Sequence, residues 1–115
     1  MDILINNAAV MIGAGRSFED GPSKSTLEEW DETFRVNLFG PVFFTNALVP
    51  QLLAGYEKKV VNLSSLGADR ALHEDIAAQL ASYSASKAAL ATATLNFHLE
   101  SVHPTVDDFC SEKLD

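Results

Sequence analysis

Tyr83 and Lys87 stand four residues apart in the stretch YSASK, at the start of an alanine-rich run. In an α-helix, residues i and i+4 share one face, so this spacing places the Lys87 ammonium beside the Tyr83 phenol. A phenol releases its proton only at about pH 10, and a neighbouring ammonium favours the phenolate. The pair could therefore act as a general acid or base near neutral pH. It could equally be an amphipathic tyrosine and a solvated lysine on a helix surface, so the rest of the sequence must decide.

Two further polar clusters lie at apolar runs that have the character of buried strands. Ser64 and Ser65 end the run KVVNLSS, and Asn6 and Asn7 lie within DILINNAA. Neither run alternates between polar and apolar residues, which predicts strands that are buried on both faces. The serines could also be turn residues, and the asparagines could simply terminate a strand.

Strands and long helices alternate along the chain. The predicted order is a strand at 2–9, a loop at 10–25, a helix from Ser25 to about Leu53, a strand at 59–65, a loop with a short helical turn at 66–79, and a helix at 80–100. Ser25 and Glu28 have the spacing of a capping box. This alternation predicts an α/β domain with a parallel sheet. Two strands form an incomplete sheet of that kind, so a partner or a longer chain would have to supply the neighbouring strands.

Pro41 lies inside the first predicted helix. It has no N–H to donate to the carbonyl of Asn37, four residues back. We therefore predict a helix that is broken or bent at 37–41, with the Asn37 carbonyl directed towards Tyr83 and Lys87 and a water in the gap. The alternative is a kink that only curves the helix over the sheet.

Composition and charge exclude several classes of protein. At 115 residues and 47% hydrophobic, the chain suits one modest domain. A formal charge of −8 repels phosphate backbones, so no nucleic-acid partner is expected. The amino terminus lacks the basic segment of a signal peptide, and the most apolar region, VNLFGPVFFTNALVPQLLAG, contains two prolines and several side-chain amides, which favours a buried helix of a soluble protein over a membrane span. Cys110 is the only cysteine and the histidines lack ligand-like spacing, so we predict no metal site and a cytoplasmic location.

Four stretches resemble consecutive motifs of the short-chain dehydrogenase/reductase family, in the family's order: LINNAA (4–9), VNLFG (36–40), VVNLSSLG (60–67) and YSASK (83–87). The resemblance covers roughly residues 2–95. It implies a partial Rossmann-type doubly wound fold with a parallel sheet over 1–100, followed by an irregular tail at 101–115.

The resemblance also implies a function: NAD(P)-dependent carbonyl reduction or alcohol oxidation by hydride transfer, with NAD or NADP as cofactor and a small molecule as substrate. In this reading Tyr83 is the acid/base, Lys87 tunes it, Ser65 binds the substrate oxygen with Ser64 as the alternative, and Asn37 holds a water of a proton path. The implied cofactor-binding residues are Asn6, Asn7, Ala8, Tyr83 and Lys87.

The sequence departs from the family pattern at both ends. The glycine-rich turn that holds the cofactor pyrophosphate is absent before the first motif, and FHLESVHPTVDDFC replaces the family's next strand. Ala8 and Ala9 stand where the family usually has Ala-Gly, which is tolerable if φ is negative there. We interpret the chain as a fragment of such an enzyme. The alternatives are a non-catalytic remnant that associates with a related subunit, or an unproductive truncated product. A homo-oligomer would form through the two long helices.

Overall fold

A computed structural model of the protein describes residues 1–13, 21–68 and 79–102. The elements are β1 (Ile3–Asn6), α1 (Leu27–Phe34), a π-helical turn (Arg35–Phe39), α2 (Gly40–Leu53), β2 (Lys59–Asn62) and α3 (Ala81–Val102), with 3₁₀ turns at Pro22–Lys24 and Leu66–Ala68. The predicted alternation of strands and helices is confirmed. Helix α3 extends two residues beyond its predicted end, and 103–115, the rest of the expected tail, lies outside the described residues.

β1 and β2 form a two-stranded parallel sheet, with Ile3 opposite Lys59 and Asn6 opposite Asn62. Both strands are shorter than predicted. The side chains of Leu4 and Val60 are buried with Leu52 of α2. The partly buried residues that pack against this cluster are Leu48, Val49, Leu53 and Phe97.

The opposite face of the sheet is bare in the described part of the chain. Ile3 and Ile5 flank the buried Leu4, and because successive strand residues point to opposite faces, both lie away from the core. Their exposed fractions are 49% and 58%. The expectation that both faces of the strands are buried is therefore not met within the described residues.

The first long helix departs from α geometry where proline predicts it. At the end of the π-helical turn, the N–H of Gly40 donates to the carbonyl of Arg35, five residues back. Pro41 follows as a buried residue in the first turn of α2, where a missing N–H is tolerated. The π-helical turn at 35–39 overlaps the predicted segment 37–41, and the predicted break or bend of the helix there stays a prediction. No contact of the Asn37 carbonyl tests its predicted direction, which stays a prediction, as does the water.

The start of α1 differs by one residue from the prediction. Thr26 is the N-cap, and its hydroxyl accepts a hydrogen bond from the N–H of Glu29 at 3.3 Å. Ser25, the predicted cap, instead donates to the carbonyl of Pro22 and accepts from the indole N–H of Trp30, both at 2.7 Å. Ser25 therefore closes the preceding turn against the helix.

The helical run Leu27–Leu53 is also long and apolar enough to cross a membrane, with a mean hydropathy of 1.3 over its best window. The core helix of a soluble protein meets the same criterion, and 22% of this window is buried inside the structure. The absence of a membrane partner therefore stays a prediction.

The amino terminus is clasped to the turn that joins α2 to β2. The ammonium of Met1 donates to the carbonyl of Gln51 at 3.0 Å, at the carboxyl end of α2. The carboxylate of Asp2 accepts from the N–H of Tyr56 at 2.6 Å, and the Asp2 carbonyl accepts from the N–H of Lys59 at 2.8 Å. These bonds join the start of β1 to the start of β2 and so help to set their register.

Candidate active site

Tyr83 and Lys87 lie in the first two turns of α3, beside the carboxyl end of β2. The Lys87 Nζ donates to the carbonyl of Leu63 at 2.7 Å and lies 5.9 Å from the centroid of the Tyr83 ring. The structure therefore brings the two residues together, as their spacing predicts. Lys87 is only 3% exposed, and this burial lowers the pKa of its ammonium.

Ser65 lies near Tyr83 because the 3₁₀ turn approaches α3 closely at Gly67. The Ser65 hydroxyl accepts from the N–H of Gly67 at 3.1 Å. A Cβ added to Gly67 would lie 3.5 Å from Ser65 Oγ, 3.6 Å from Tyr83 Cε1 and 3.2 Å from Ser84 Oγ. Ser65 and Tyr83 thus flank one glycine that lets the 3₁₀ turn approach α3. Ser64, the alternative serine, is exposed.

Gly67 appears in the sequence only as part of the motif VVNLSSLG, and no role was predicted for it. Its backbone angle gives no signal, because among the described glycines only Gly13 has a positive φ. The reason for a glycine is the nearby helix, which belongs to a segment that begins more than ten residues later. Such a contact is invisible in local sequence.

Asn37 is fully buried in the π-helical turn, and its side chain joins three segments. Oδ1 accepts from the N–H of Val10 at 2.8 Å, and Nδ2 donates to the carbonyl of Val10 at 2.8 Å and to Ser86 Oγ at 3.1 Å. The segment after β1, the π-helical turn and α3 therefore meet at this amide. Asn37 reaches α3 through its side chain, a contact that the sequence did not predict.

The side chain of Asn6 links β1 to β2 and to α2. Its Nδ2 donates to Thr45 Oγ1 at 3.1 Å and to Asn62 Oδ1 at 2.8 Å, and Asn62 in turn donates to Thr94 Oγ1 at 2.9 Å. This row of polar groups joins α2, both strands and α3 at the carboxyl ends of the strands. The Asn6 amide is thus engaged within the protein, which agrees with the strand-terminating alternative.

Asn7 and Ala8 follow β1 and are both exposed. Neither is brought into contact with Tyr83 or Lys87. No residue at this turn has a positive φ, since among the described residues other than glycine only Lys58 does, so alanine at positions 8 and 9 is tolerated as expected.

A groove of about 380 Å³ runs along the open edge of β1. It is lined by Ile5, Asn6, Asn7, Ala8, Val36, Gly40, Pro41 and Phe44. Its walls are mostly apolar, and neither Tyr83, Lys87 nor Ser65 contributes to it. The groove and the Tyr83 cluster are therefore separate features of the surface.

The donors present at the Tyr83 cluster fit the ribose of a nicotinamide nucleotide. An ammonium has three N–H groups, and Lys87 uses one of them in the hydrogen bond to the Leu63 carbonyl. The Tyr83 hydroxyl makes no hydrogen bond to the described residues and is half-buried. Two N–H groups and a phenol thus remain for ligand hydroxyls. Within the same described ranges, no glycine-rich turn joins a strand directly to a helix to hold a pyrophosphate.

Comparison with known proteins agrees with this architecture. The profile of the short chain dehydrogenase family matches residues 1–107, so the chain belongs to that family. Short chain dehydrogenase andI of Emericella variicolor is 36% identical over 90 residues, which are 78% of this chain and 28% of the relative. L-xylo-3-hexulose reductase of Hypocrea jecorina is 36% identical over 70 residues, 59% of this chain and 22% of the relative.

Two solved structures have the same fold. A short-chain dehydrogenase from Streptomyces avermitilis superposes with a TM-score of 0.70 at 31% identity, covering 99% of this chain and 36% of that protein. NADPH-bound carbonyl reductase from chicken fatty liver superposes with a TM-score of 0.68 at 24% identity, covering 89% of this chain and 40% of that protein. The chain thus has a Rossmann-type α/β fold and spans well under half the length of these proteins.

Proposed function

We propose that this chain carries the proton-transfer part of the active site of an NAD(P)-dependent oxidoreductase that interconverts small-molecule carbonyls and alcohols. The observation that carries the proposal is the position of Lys87, whose buried ammonium is held by the Leu63 carbonyl beside the Tyr83 ring. Ser65 flanks the same glycine as Tyr83. A hydroxyl and an ammonium thus both lie near the Tyr83 ring, beyond the carboxyl end of β2, which supports the proposal.

Each residue has a role that follows from its chemistry. A bound NAD(P)H supplies the hydride. The Tyr83 hydroxyl gives its proton to the oxygen of the carbonyl as negative charge develops there. The Lys87 ammonium stabilises the phenolate that remains and donates to the ribose, and the Ser65 hydroxyl donates to the substrate oxygen. In the reverse direction Tyr83 accepts the proton of the alcohol.

Asn37 contributes through its helix irregularity. Since Pro41 has no N–H, the Asn37 carbonyl is spared its usual helical partner and can hold a water that returns protons to Tyr83 through Lys87. Its buried side chain at the same time joins α3 to the segment after β1. The π-helical turn that contains Asn37 supports this role.

The chain requires neighbouring structure to act. The open edge of β1 and the bare face with Ile3 and Ile5 call for further strands and helices, from a longer chain or from a related subunit. A second copy would pair through the helices, since Phe43 of α2 and Leu95 and Leu99 of α3 expose more than half of their surfaces.

A graft tests the proposal. Residues 1–102 replace the segment of the Hypocrea jecorina L-xylo-3-hexulose reductase that is equivalent in the family fold, within which 70 residues align in sequence, and the reductase retains the rest of its chain. We expect the folded graft to oxidise NADPH or NADH when L-xylo-3-hexulose is present. The isolated chain should bind either cofactor only at about 1 mM or not at all, because its described residues provide no pyrophosphate site with backbone hydrogen bonds and a helix dipole.

The parent reductase is the positive control, and circular dichroism establishes that the graft is folded. A folded graft that binds NADPH but transfers no hydride to the sugar would contradict the proposed chemistry. Micromolar binding of NADPH by the isolated chain, measured by isothermal titration, would contradict the expectation that the glycine-rich pyrophosphate turn is missing from it.

A further inference from the structure

A strip of four buried polar side chains joins α3 to the first long helix; we call it the hydroxyl seam. It consists of Thr33, Asn37, Ser82 and Ser86, whose exposed fractions lie between 0% and 2%. Thr33 Oγ1 and Ser82 Oγ share a hydrogen bond of 3.3 Å, and Asn37 Nδ2 donates to Ser86 Oγ at 3.1 Å. The two contacts lie one helical turn apart on both helices.

The seam controls how α3 is rotated about its own axis. Each residue of an α-helix is turned by about 100° from the one before it. Tyr83 directly follows Ser82, and Lys87 directly follows Ser86, so each chemical side chain leaves the helix at a set angle from a seam residue. Hydrogen bonds are directional, whereas apolar attraction has no preferred direction. Two hydrogen bonds one turn apart along α3 therefore resist rotation of the helix more than apolar packing does.

Ser86 is the most constrained member of the seam. Its hydroxyl accepts from Asn37 Nδ2 and donates to the carbonyl of Tyr83 at 2.7 Å. Without this hydroxyl, one N–H of the buried Asn37 amide loses its acceptor on α3, while the two bonds to Val10 remain. The loss would loosen the rotation of α3 without removing the anchor of the π-helical turn.

We propose that Ser82 and Ser86 are positioning residues that set the rotation of α3 and thereby hold Lys87 on the Leu63 carbonyl beside Tyr83. The inference rests on the proposed function, from which the importance of the Tyr83 and Lys87 pair is taken. Its geometry can be tested in this chain without cofactor, substrate or turnover. The two hypotheses can therefore fail separately.

The test is the reaction of lysine amines with acetic anhydride in the chain of residues 1–115, followed for each lysine by peptide mass spectrometry across pH. The pH profile separates the midpoint for Lys87 from the rate of its neutral amine. Lys24, which is exposed, is the internal reference. The variants are Ser86→Ala and Ser82→Ala, and Ser84→Ala on the same helix is the matched control because Ser84 lies outside the seam.

In the unsubstituted chain we expect the neutral amine of Lys87 to react far more slowly than the neutral amine of Lys24. In Ser86→Ala the neutral Lys87 amine should react about threefold to tenfold faster, the range that follows from the loss of one buried hydrogen bond. Its midpoint should also move up towards the ordinary lysine value as the ammonium regains water. Ser82→Ala should shift both quantities less, and Ser84→Ala should leave them unchanged. Lys24 should not respond to any of these changes.

Circular dichroism and the melting temperature separate loosening from unfolding. If Ser86→Ala is unfolded, the folded Ser82→Ala variant carries the test. Unchanged Lys87 reactivity and midpoint in the folded variants would overturn the proposal, even if they were less stable, because a seam that only adds stability would not change Lys87 selectively. Equal rates for the neutral amines of Lys87 and Lys24 in the unsubstituted chain would overturn the burial on which the proposal rests.

Discussion

Lys87 is held nearly out of water with its ammonium on a backbone carbonyl, and no described carboxylate forms an ion pair with it. Burial favours the neutral amine and lowers the pKa of Lys87 below 10.5. The short bond to the Leu63 carbonyl keeps the cation in place beside Tyr83. Lys87 therefore lowers the stability of the folded chain and places a positive charge at the proposed site.

The lowered pKa of Lys87 predicts a pH dependence of stability. Between the folded pKa and 10.5, the unfolded chain binds a proton that the folded chain does not, so the free energy of unfolding rises with pH in this window. Relative to Lys87→Met, the unsubstituted chain should gain stability there by at most about 1.4 kcal/mol per pH unit, the limit for one proton. Chemical denaturation of both proteins over this window measures the difference.

Lys24→Met is a change of the same type at an exposed position and serves as the control. A difference between the unsubstituted chain and Lys87→Met that stays constant with pH would contradict the burial of a charged Lys87 in the folded state.

At this scale the sequence predicts what is local. Tyr83 and Lys87 meet because helical geometry alone dictates it. The bonds between Asn37 and Val10 join residues 27 positions apart, and those between Asn37 and Ser86 join residues 49 apart. Such contacts depend on how elements pack, which no local pattern specifies.

Among the elements, the helical run Leu27–Leu53 combines a predictable feature with an unpredictable one. Its departure from α geometry at 35–39 lies directly before Pro41, whose missing N–H is the sequence feature that predicts an irregularity there. Its start was assigned one residue early because Ser25 and Thr26 are both good N-caps. In the structure the Ser25 hydroxyl is engaged by the indole N–H of Trp30, and Thr26 caps the helix.

Gly40, in α2, and Gly55, just after α2, should respond in opposite ways to substitution by alanine. A Cβ at Gly55 would overlap the carbonyl of Met1, so Gly55→Ala should destabilise the fold by about 1–3 kcal/mol or more, as overpacking against a backbone does. A Cβ at Gly40 would meet only the Arg35 carbonyl at 3.4 Å, an ordinary contact. Gly40→Ala should therefore be neutral or stabilising by up to about 1 kcal/mol, the helix propensity difference.

Urea denaturation of the two variants beside the parent chain measures both effects, and each variant is the control for the other. Equal stability of Gly55→Ala and the parent would contradict the clasp between the amino terminus and the α2–β2 turn.

Across the whole molecule, the described residues form a core on one side of a two-stranded sheet and leave the other side bare. Phe43 and Phe44 of α2 and Leu95 and Leu99 of α3 add to the exposed apolar surface. The sequence indicated this incompleteness, because two parallel strands cannot be buried without neighbours. It could not indicate which surface a partner covers.

The exposed helix residues predict self-association of the isolated chain. Phe43→Lys places a charge on the proposed contact surface and should shift the sedimentation profile towards the monomer at the same protein concentration. Leu27→Lys changes an even more exposed apolar residue at the start of α1 and should have little effect. Equal behaviour of the two variants in analytical ultracentrifugation would contradict pairing through the helices.

The most direct test of the proposed chemistry is the turnover of the grafted reductase with Tyr83→Phe, which removes the phenolic hydroxyl and keeps the ring. We predict that turnover falls about 10²–10⁴-fold, the usual contribution of a general acid, while the Kd of NADPH rises by no more than about tenfold, the effect of losing one hydrogen bond to the ribose. Tyr56→Phe, the same change at a residue that is 85% exposed in the turn after α2, should leave turnover unchanged. Near-parental turnover in the Tyr83→Phe graft would contradict the assignment of Tyr83 as the proton donor.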